Sequence, residues 1–380
     1  VNQRRPAVAA SLRGLSALFL LAALVACSSG PLKPKPAELP PSANLLAVRL
    51  AWTASLGEVS FPLEMKVVGQ TVALASTDGM VSILDTRTGE KLWQAAVGAP
   101  LEAGVGFDGR IAAVMTRNNE LVVLEAGREL WRQRLTAPSQ TAPLVAGARV
   151  FVLGADRSVT AFDGQTGRRI WGQQRAGEPL VLRQSGVMLA VADTLVVGLS
   201  GKLVGMNPLN GSVRWEAPVA SPRGTNDVER LVDLVAPVSR QGGVVCARAF
   251  QAAVACVDAV RGAVLWTKPA AGSVGVHGDE GLVFGVESDS TLIAWKRSDG
   301  ERAWTLEQLR YRNLTAPVVA GRAVVVGDDG GLLHFLSRED GSALTRASTD
   351  GSAIVAAPVL AGNTLLAVTR NGGVFGFRPE

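Results

Sequence analysis

The chain has 380 residues, 47% of them hydrophobic and only 5% aromatic, with a formal net charge of +5. Arg4, Arg5 and Arg13 sit in an N-terminal segment laid out like a secretory leader; removing these three from the 38 basic residues leaves 35 against 33 acidic ones. A near-neutral chain with no basic run interleaved with aromatics is not built to bind nucleic acid. Short apolar runs of Val, Ala and Leu punctuated by Gly and Pro, with no long helical pattern after the first 30 residues, point to an all-β fold.

Residues 1–26 read as a signal peptide: the three arginines precede the apolar run Leu15 to Leu24, which is too short for a comfortable membrane span. The run ends in Leu24-Val25-Ala26-Cys27, which resembles the bacterial lipobox and marks Cys27 as the lipidation site. Ser28, where an Asp would imply inner-membrane retention, fits an anchor in the outer membrane. Residues 27–45 carry Pro31, Pro34, Pro36, Pro40 and Pro41 and read as the lipidated Cys followed by an extended tether.

Residues 46–380 are organised by one recurring stretch. Its best copy is Asp163-Gly164-Gln165-Thr166-Gly167-Arg168-Arg169-Ile170-Trp171, the end of a strand, a tight turn and the start of the next strand. It returns at Asp85…Gly89…Trp93, Asn207…Gly211…Trp215 and Asp258…Gly262…Trp266. Weaker copies lie at Gly127…Trp131, Gly300…Trp304 and Gly341…Thr345, and Trp52 is an unaccompanied Trp strand. The Asp or Asn accepts hydrogen bonds from backbone just ahead of it and closes the turn. The glycine takes a positive φ that a Cβ would disfavour, and the Trp offers a large flat surface, roughly 150–250 Å² when buried. The intervals run from 38 residues (Trp93 to Trp131) to 51 (Trp215 to Trp266), the period of a solenoid, array or propeller.

Within each repeat an inner strand often opens at Ala-Pro, as at 142–143, 236–237, 316–317 and 357–358. A Gly turn, an apolar strand, a hairpin such as Asp78-Gly79 or Asn371-Gly372, a third strand and the Trp strand follow. Four short antiparallel strands per repeat make a propeller blade. The last repeat stops at Arg378 with three strands, and Ala47 to Trp52 is a Trp strand with nothing before it. Joining them predicts an eight-bladed β-propeller of four-stranded antiparallel blades, the last closed by the N-terminal strand, with no exposed edges of an open array.

Catalytic constellations are missing from the sequence. His277, placed in a Gly-rich turn, and His334, placed in a strand, are the only histidines and stand apart from any Cys or carboxylate cluster at metal-ligand spacing. Gly104-Val105-Gly106-Phe107-Asp108-Gly109 matches GxGxxG, but a strand-like run follows it and not a helix, so it reads as a blade turn. Cys246 and Cys256 flank a hairpin. A two-residue turn would put their side chains on opposite faces, and a three-residue turn would set the sulfurs opposite each other; the sequence leaves both open.

The Asp163–Trp171 motif resembles the tryptophan-docking repeat of quinoprotein (PQQ-type) propellers, and the lipobox followed by eight such repeats is similar to the BamB family, propeller lipoproteins of the outer-membrane β-barrel assembly (BAM) machinery. The resemblance covers about residues 24–380. Leu180-Val181-Leu182-Arg183 resembles that family's Leu-x-Leu-Arg loop, and Glu229-Arg230-Leu231-Val232-Asp233 its acidic loop, whose second acidic residue falls near Val235 here. The resemblance implies a non-enzymatic scaffold without a cofactor or metal, facing the periplasm. Its partners would be the POTRA domains of BamA and the rest of the BAM complex, with nascent outer-membrane β-barrel proteins as clients. Leu180, Leu182, Arg183, Glu229, Arg230 and Asp233 would form the partner-binding patch on the rim. Leu182 would fill an apolar hollow, Arg183 would meet a partner carboxylate and Asp233 a partner Lys or Arg. From the residues alone, Leu180 and Leu182 read equally well as alternate residues of a buried strand. Two rival readings are a PQQ- and Ca²⁺-dependent dehydrogenase, which would need Ca²⁺ ligands around a catalytic Asp, and a scaffold of another envelope complex.

Overall fold

The computed structural model describes residues 34–175 and 180–380; the leader and Cys27 lie outside them. Residues 37–380 form one compact unit. It is all β, with no helix among the described residues, and has eight four-stranded antiparallel sheets. Blades 1 to 7 span 66–96, 106–134, 144–174, 188–218, 234–269, 276–306 and 318–348. Blade 8 combines three strands of 359–379 with the N-terminal strand Val48–Ser55, which pairs antiparallel with Gly373–Pro379 from Val48↔Pro379 to Ser55↔Gly373. The expected closure is therefore observed.

In blades 1 to 7 the strands run as a meander from the axis outward, and in blade 8 three strands do so before the N-terminal strand completes the sheet. The turns after the first and third strands share one face of the disc. The turns after the second strand, and the connections between blades, share the other. The second and third strands carry the core: Val72 to Ala75 and Val81 to Leu84 of blade 1 are buried, whereas the outermost strand Lys91–Ala96 alternates between exposed and half-buried positions. Small Ala and Val side chains let neighbouring sheets approach closely, as the interdigitated packing of a propeller core requires.

The repeat motif closes the junctions between blades. At Asp163 the carboxylate accepts the N–H groups of Gln165 (3.1 Å) and Thr166 (2.9 Å), and Gly167 takes φ +70°. Each turn glycine lies against the indole of the preceding blade: Gly89 on Trp52, Gly127 on Trp93, Gly167 on Trp131, Gly211 on Trp171, Gly262 on Trp215, Gly300 on Trp266 and Gly341 on Trp304. A Cβ on Gly89 would stand 2.4 Å from the Trp52 ring, so the glycine is demanded by contact as well as by φ. Five indoles also donate Nε1–H to the carbonyl three residues before that glycine: Trp52 to Thr86, Trp131 to Gly164, Trp171 to Pro208, Trp266 to Arg297 and Trp304 to Arg338.

Two local expectations need revision. The proline-rich segment is extended, but from Ala37 onward it lies along blades 6 and 7 and does not stand free as a tether. The Ala37 N–H donates to the Arg310 carbonyl, Arg312 and Arg346 donate to the carbonyls of Ala37 and Pro40, and Leu39 packs into the blade 6–7 core. His277 sits in a short strand (Val276–Gly278) and not in a turn.

Cys246 and Cys256 are directly opposed in adjacent strands of blade 5 and joined as a disulfide. The connecting turn has three residues, Phe250 to Ala252, between the pair Ala249↔Ala253. Gly106 and Phe107 of the GxGxxG match form the first strand of blade 2, and Asp108 closes the turn after it by accepting the N–H groups of Arg110 and Ile111.

Candidate docking interface

The connections before blades 4 and 5 lie on the same face, and the structure brings most of the sequence-predicted residues together there. Asp233 is the hinge of the arrangement. Its Oδ1 accepts from Arg157 Nη1 at 2.9 Å and its Oδ2 from the Leu182 N–H at 3.1 Å, while Arg157 Nη2 donates to the Leu180 carbonyl at 3.1 Å. The Asp233 carbonyl also accepts the Phe250 N–H. The Arg157 and Asp233 side chains are 8% and 17% exposed. The expectation that Asp233 offers its carboxylate to a partner is thus corrected: both oxygens are committed inside the chain, where a fully hydrogen-bonded pair is the stable form of a buried charge.

What this clamp presents is the backbone of 180–183. Leu180 is exposed, Leu182 is half-buried, and the Arg183 side chain is 72% exposed, with Nη2 3.2 Å from Glu102 Oε1. Glu102 also holds Arg117 at 3.4 Å, so Arg183 is steered from the loop before blade 2. Glu229 turns back into its own loop: it accepts the Thr225 N–H at 2.8 Å, and its N–H donates to Asn226. That backbone hydrogen bond from Thr225 is the main reason its pKa falls below the ordinary glutamate value. Arg230 is half-buried in the same loop.

Sequence reasoning missed two residues here. Arg157 occupies the second-strand turn of blade 3 with φ +63°, where blades 1, 4 and 8 have Gly79, Gly201 and Gly372. A bulky residue in a left-handed position is uncommon, and that anomaly in the repeat was its signal. Val228, 69% exposed in the 219–233 loop, carries no comparable signal.

A cavity of about 770 Å³ lies on the axis, walled by the inner strands of blades 1 and 5 to 8. Glu64 is the one carboxylate in its wall; it hydrogen-bonds Ser185, and burial pushes its pKa up. His277 Nδ1 accepts the Val319 N–H, and burial, followed by the Arg297 charge, lowers its pKa. Ca²⁺ takes six to eight oxygens with several carboxylates, and no cluster of three or more metal-binding side chains exists among the described residues. The channel therefore does not fit a quinone–Ca²⁺ pair.

A family model described as Outer membrane protein assembly factor BamB matches residues 77–306, more than half of the chain. The chain belongs to the BamB family. Relatives with the same description include one from Burkholderia pseudomallei (strain K96243), 38% identical over 340 residues covering 88% of this chain and 89% of that one. Another is from Bordetella pertussis (strain Tohama I), 37% identical, covering 95% and 96%. Among solved structures, BamB from Moraxella catarrhalis superposes with a TM-score of 0.80 at 24% identity, covering 87% of this chain and 99% of that one. Quinohemoprotein alcohol dehydrogenase from Comamonas testosteroni superposes at 0.67 and 16% identity, covering 88% and 77%. The last two likenesses concern the fold, and the dehydrogenase places this BamB-family propeller in the same architecture as the quinoproteins.

Proposed function

We propose that the chain is a non-enzymatic scaffold of outer-membrane protein assembly, anchored in the outer membrane by lipid on Cys27 and facing the periplasm. It docks on the POTRA domains of BamA within the BAM complex and assists the folding and insertion of nascent barrel proteins. The observation that carries the docking reading is the Arg157–Asp233–Leu182 clamp, which spends buried charge to fix a short loop whose outward groups are an apolar Leu180 and a cationic Arg183. An apolar anchor with an Arg on its rim is the composition of interface hot spots. In this reading Leu180 and Leu182 supply apolar contact and Arg183 meets a partner carboxylate. Glu229 and Arg230 line the neighbouring loop, and Asp233 positions the loop without touching the partner. Membership of a family described as outer membrane protein assembly factors supports the process.

Titration of purified POTRA domains with the Leu180→Asp and Arg183→Glu variants tests the reading. Each is expected to weaken binding by about tenfold or more, because interface anchors and charged contacts cost that much when reversed. Glu90→Arg, exposed on the opposite face, is the control. Equal affinities for all three variants would overturn it.

A further inference from the structure

Seven of the eight blade junctions are closed by an indole on a turn glycine, as described above. At the junction of blade 7 with blade 8 every part of that device is changed. Thr345 stands where the indole would be, paired with Phe335 as Trp93 is with Ile83. Val48, four residues before Trp52, stands where the glycine would be. The Leu45 carbonyl, three residues earlier still, is the counterpart of the indole acceptors, and Arg322 Nη2 donates to it instead, at 2.6 Å.

Beside this junction, on the face opposite the candidate docking loops, lies a hollow of about 340 Å³ at the turns Gly321 and Gly362; Thr345 is buried and is not part of its wall. Its walls are apolar: Phe335, Leu365 and Phe377 from the core, with Leu46 and Val48 from the N-terminal strand. On its rim stand Arg322 and Arg378. Arg378 donates to Thr364 Oγ1 at 2.9 Å and to the Arg87 carbonyl, and neither arginine forms an ion pair with a carboxylate among the described residues. An apolar cavity of this size with a few convergent polar groups is the form of a ligand pocket, and two cations without counter-charges favour a negative occupant.

We propose that this hollow receives an aromatic side chain of a partner protein, flanked in the partner's sequence by acidic residues. The ring packs against Phe335, Leu365, Phe377 and Val48, and the flanking carboxylates meet Arg322 and Arg378. The inference does not depend on the loops of the opposite face, so one propeller can hold two partners at once.

The test is a ¹⁹F NMR titration of the full chain with the peptide acetyl-Asp-(5-fluoro-Trp)-Asp-amide, with acetyl-Lys-(5-fluoro-Trp)-Lys-amide as the charge control. Saturable binding of the acidic peptide is expected, with the lysine peptide about tenfold weaker or more. Val48→Trp fills the hollow and should abolish binding. Arg378→Glu should weaken the acidic peptide about tenfold and decides the matter if Val48→Trp fails to fold. No saturable signal, or equal binding by both peptides, overturns the proposal. So does binding unchanged in Arg378→Glu. Self-association of the unaltered chain in sedimentation, lost in Arg378→Glu, would assign the hollow to a second copy of the chain and overturn it as well.

Discussion

Arg157 and Asp233 meet at 2.9 Å across 76 residues of sequence, the first in a turn of blade 3 and the second at the entry to blade 5. Together they hold the loop before blade 4 through its backbone at Leu180 and Leu182. Removing one member of such a pair takes a close counter-charge from the other in a poorly hydrated site, which costs roughly 3 kcal/mol. Arg157→Ala and Asp233→Ala should each lower the urea midpoint, and the double variant should lose much less than the sum. Hydrogen exchange at the Leu182 amide should quicken in both. Additive losses would show that the two residues act separately. Substitutions at Asp233 therefore disturb the fold of this loop, and the exposed Leu180 and Arg183 are the cleaner probes of a partner.

The propeller was legible because its cause is local and repeated. Asp163, Gly167 and Trp171 each answer to a turn geometry or a contact that recurs in other blades, and the unmatched strand at Trp52 announced the closure. The clamp was not legible, because nothing in the order of residues places a turn of blade 3 beside a loop before blade 5. Only the wrapping of the disc does that. Pro34 to Pro41 read as tether by composition, and the carbonyls that Arg312 and Arg346 take up are invisible until blades 6 and 7 exist. Thr345 was visible as a missing Trp, but the hollow depends on how Leu46 and Val48 pack. The disulfide turned on one residue of turn length, which the spacing of Cys246 and Cys256 left undecided.

Closure at blade 8 can be weighed through Trp52 and Gly89. Trp52→Ala removes an indole that packs on Gly89 and bonds the Thr86 carbonyl at 3.1 Å, and a loss of roughly 3 kcal/mol is expected. Gly89→Ala drives a Cβ into the same ring and strains a φ of +74°. Because both break one contact, the double variant should be less destabilised than the sum in urea titrations. Deleting residues 46–56 should cost more than either, since it opens two sheet edges. An unchanged midpoint after that deletion would rule out the N-terminal strand as the clasp.

Anchoring rests on Cys27. Cys27→Ser removes the sulfur that a lipobox acylates, and several acyl chains are what make such attachment stable. The variant should persist as the longer precursor or leave the membrane fraction on extraction, read by gel mobility and flotation. A protein of unchanged size that still floats with outer membranes would refute lipidation at this site.

Acid should find a specific weak point at Asp328. This carboxylate has no solvent exposure; it accepts from Arg312 Nη2 at 2.7 Å, from the N–H groups of Gly330 and Leu332 at 2.9 Å, and lies 2.9 Å from His334 Nε2. Burial alone would raise its pKa, but the hydrogen bonds from His334, the Leu332 N–H and Arg312 outweigh burial and hold it below the ordinary 3.8. The folded pKa is therefore the lower of the two. The stabilisation is complete above the unfolded value and is lost as pH falls below about 4 toward the folded one. Asp328→Asn leaves Arg312 without its counter-charge at the blade 6–7 junction, at a cost of roughly 3 kcal/mol near neutrality. The gap between variant and parent should narrow in acid. Urea midpoints at about pH 7 and about pH 3 measure it, and a gap that stays constant between them would show that the ionised form of Asp328 contributes nothing to the fold.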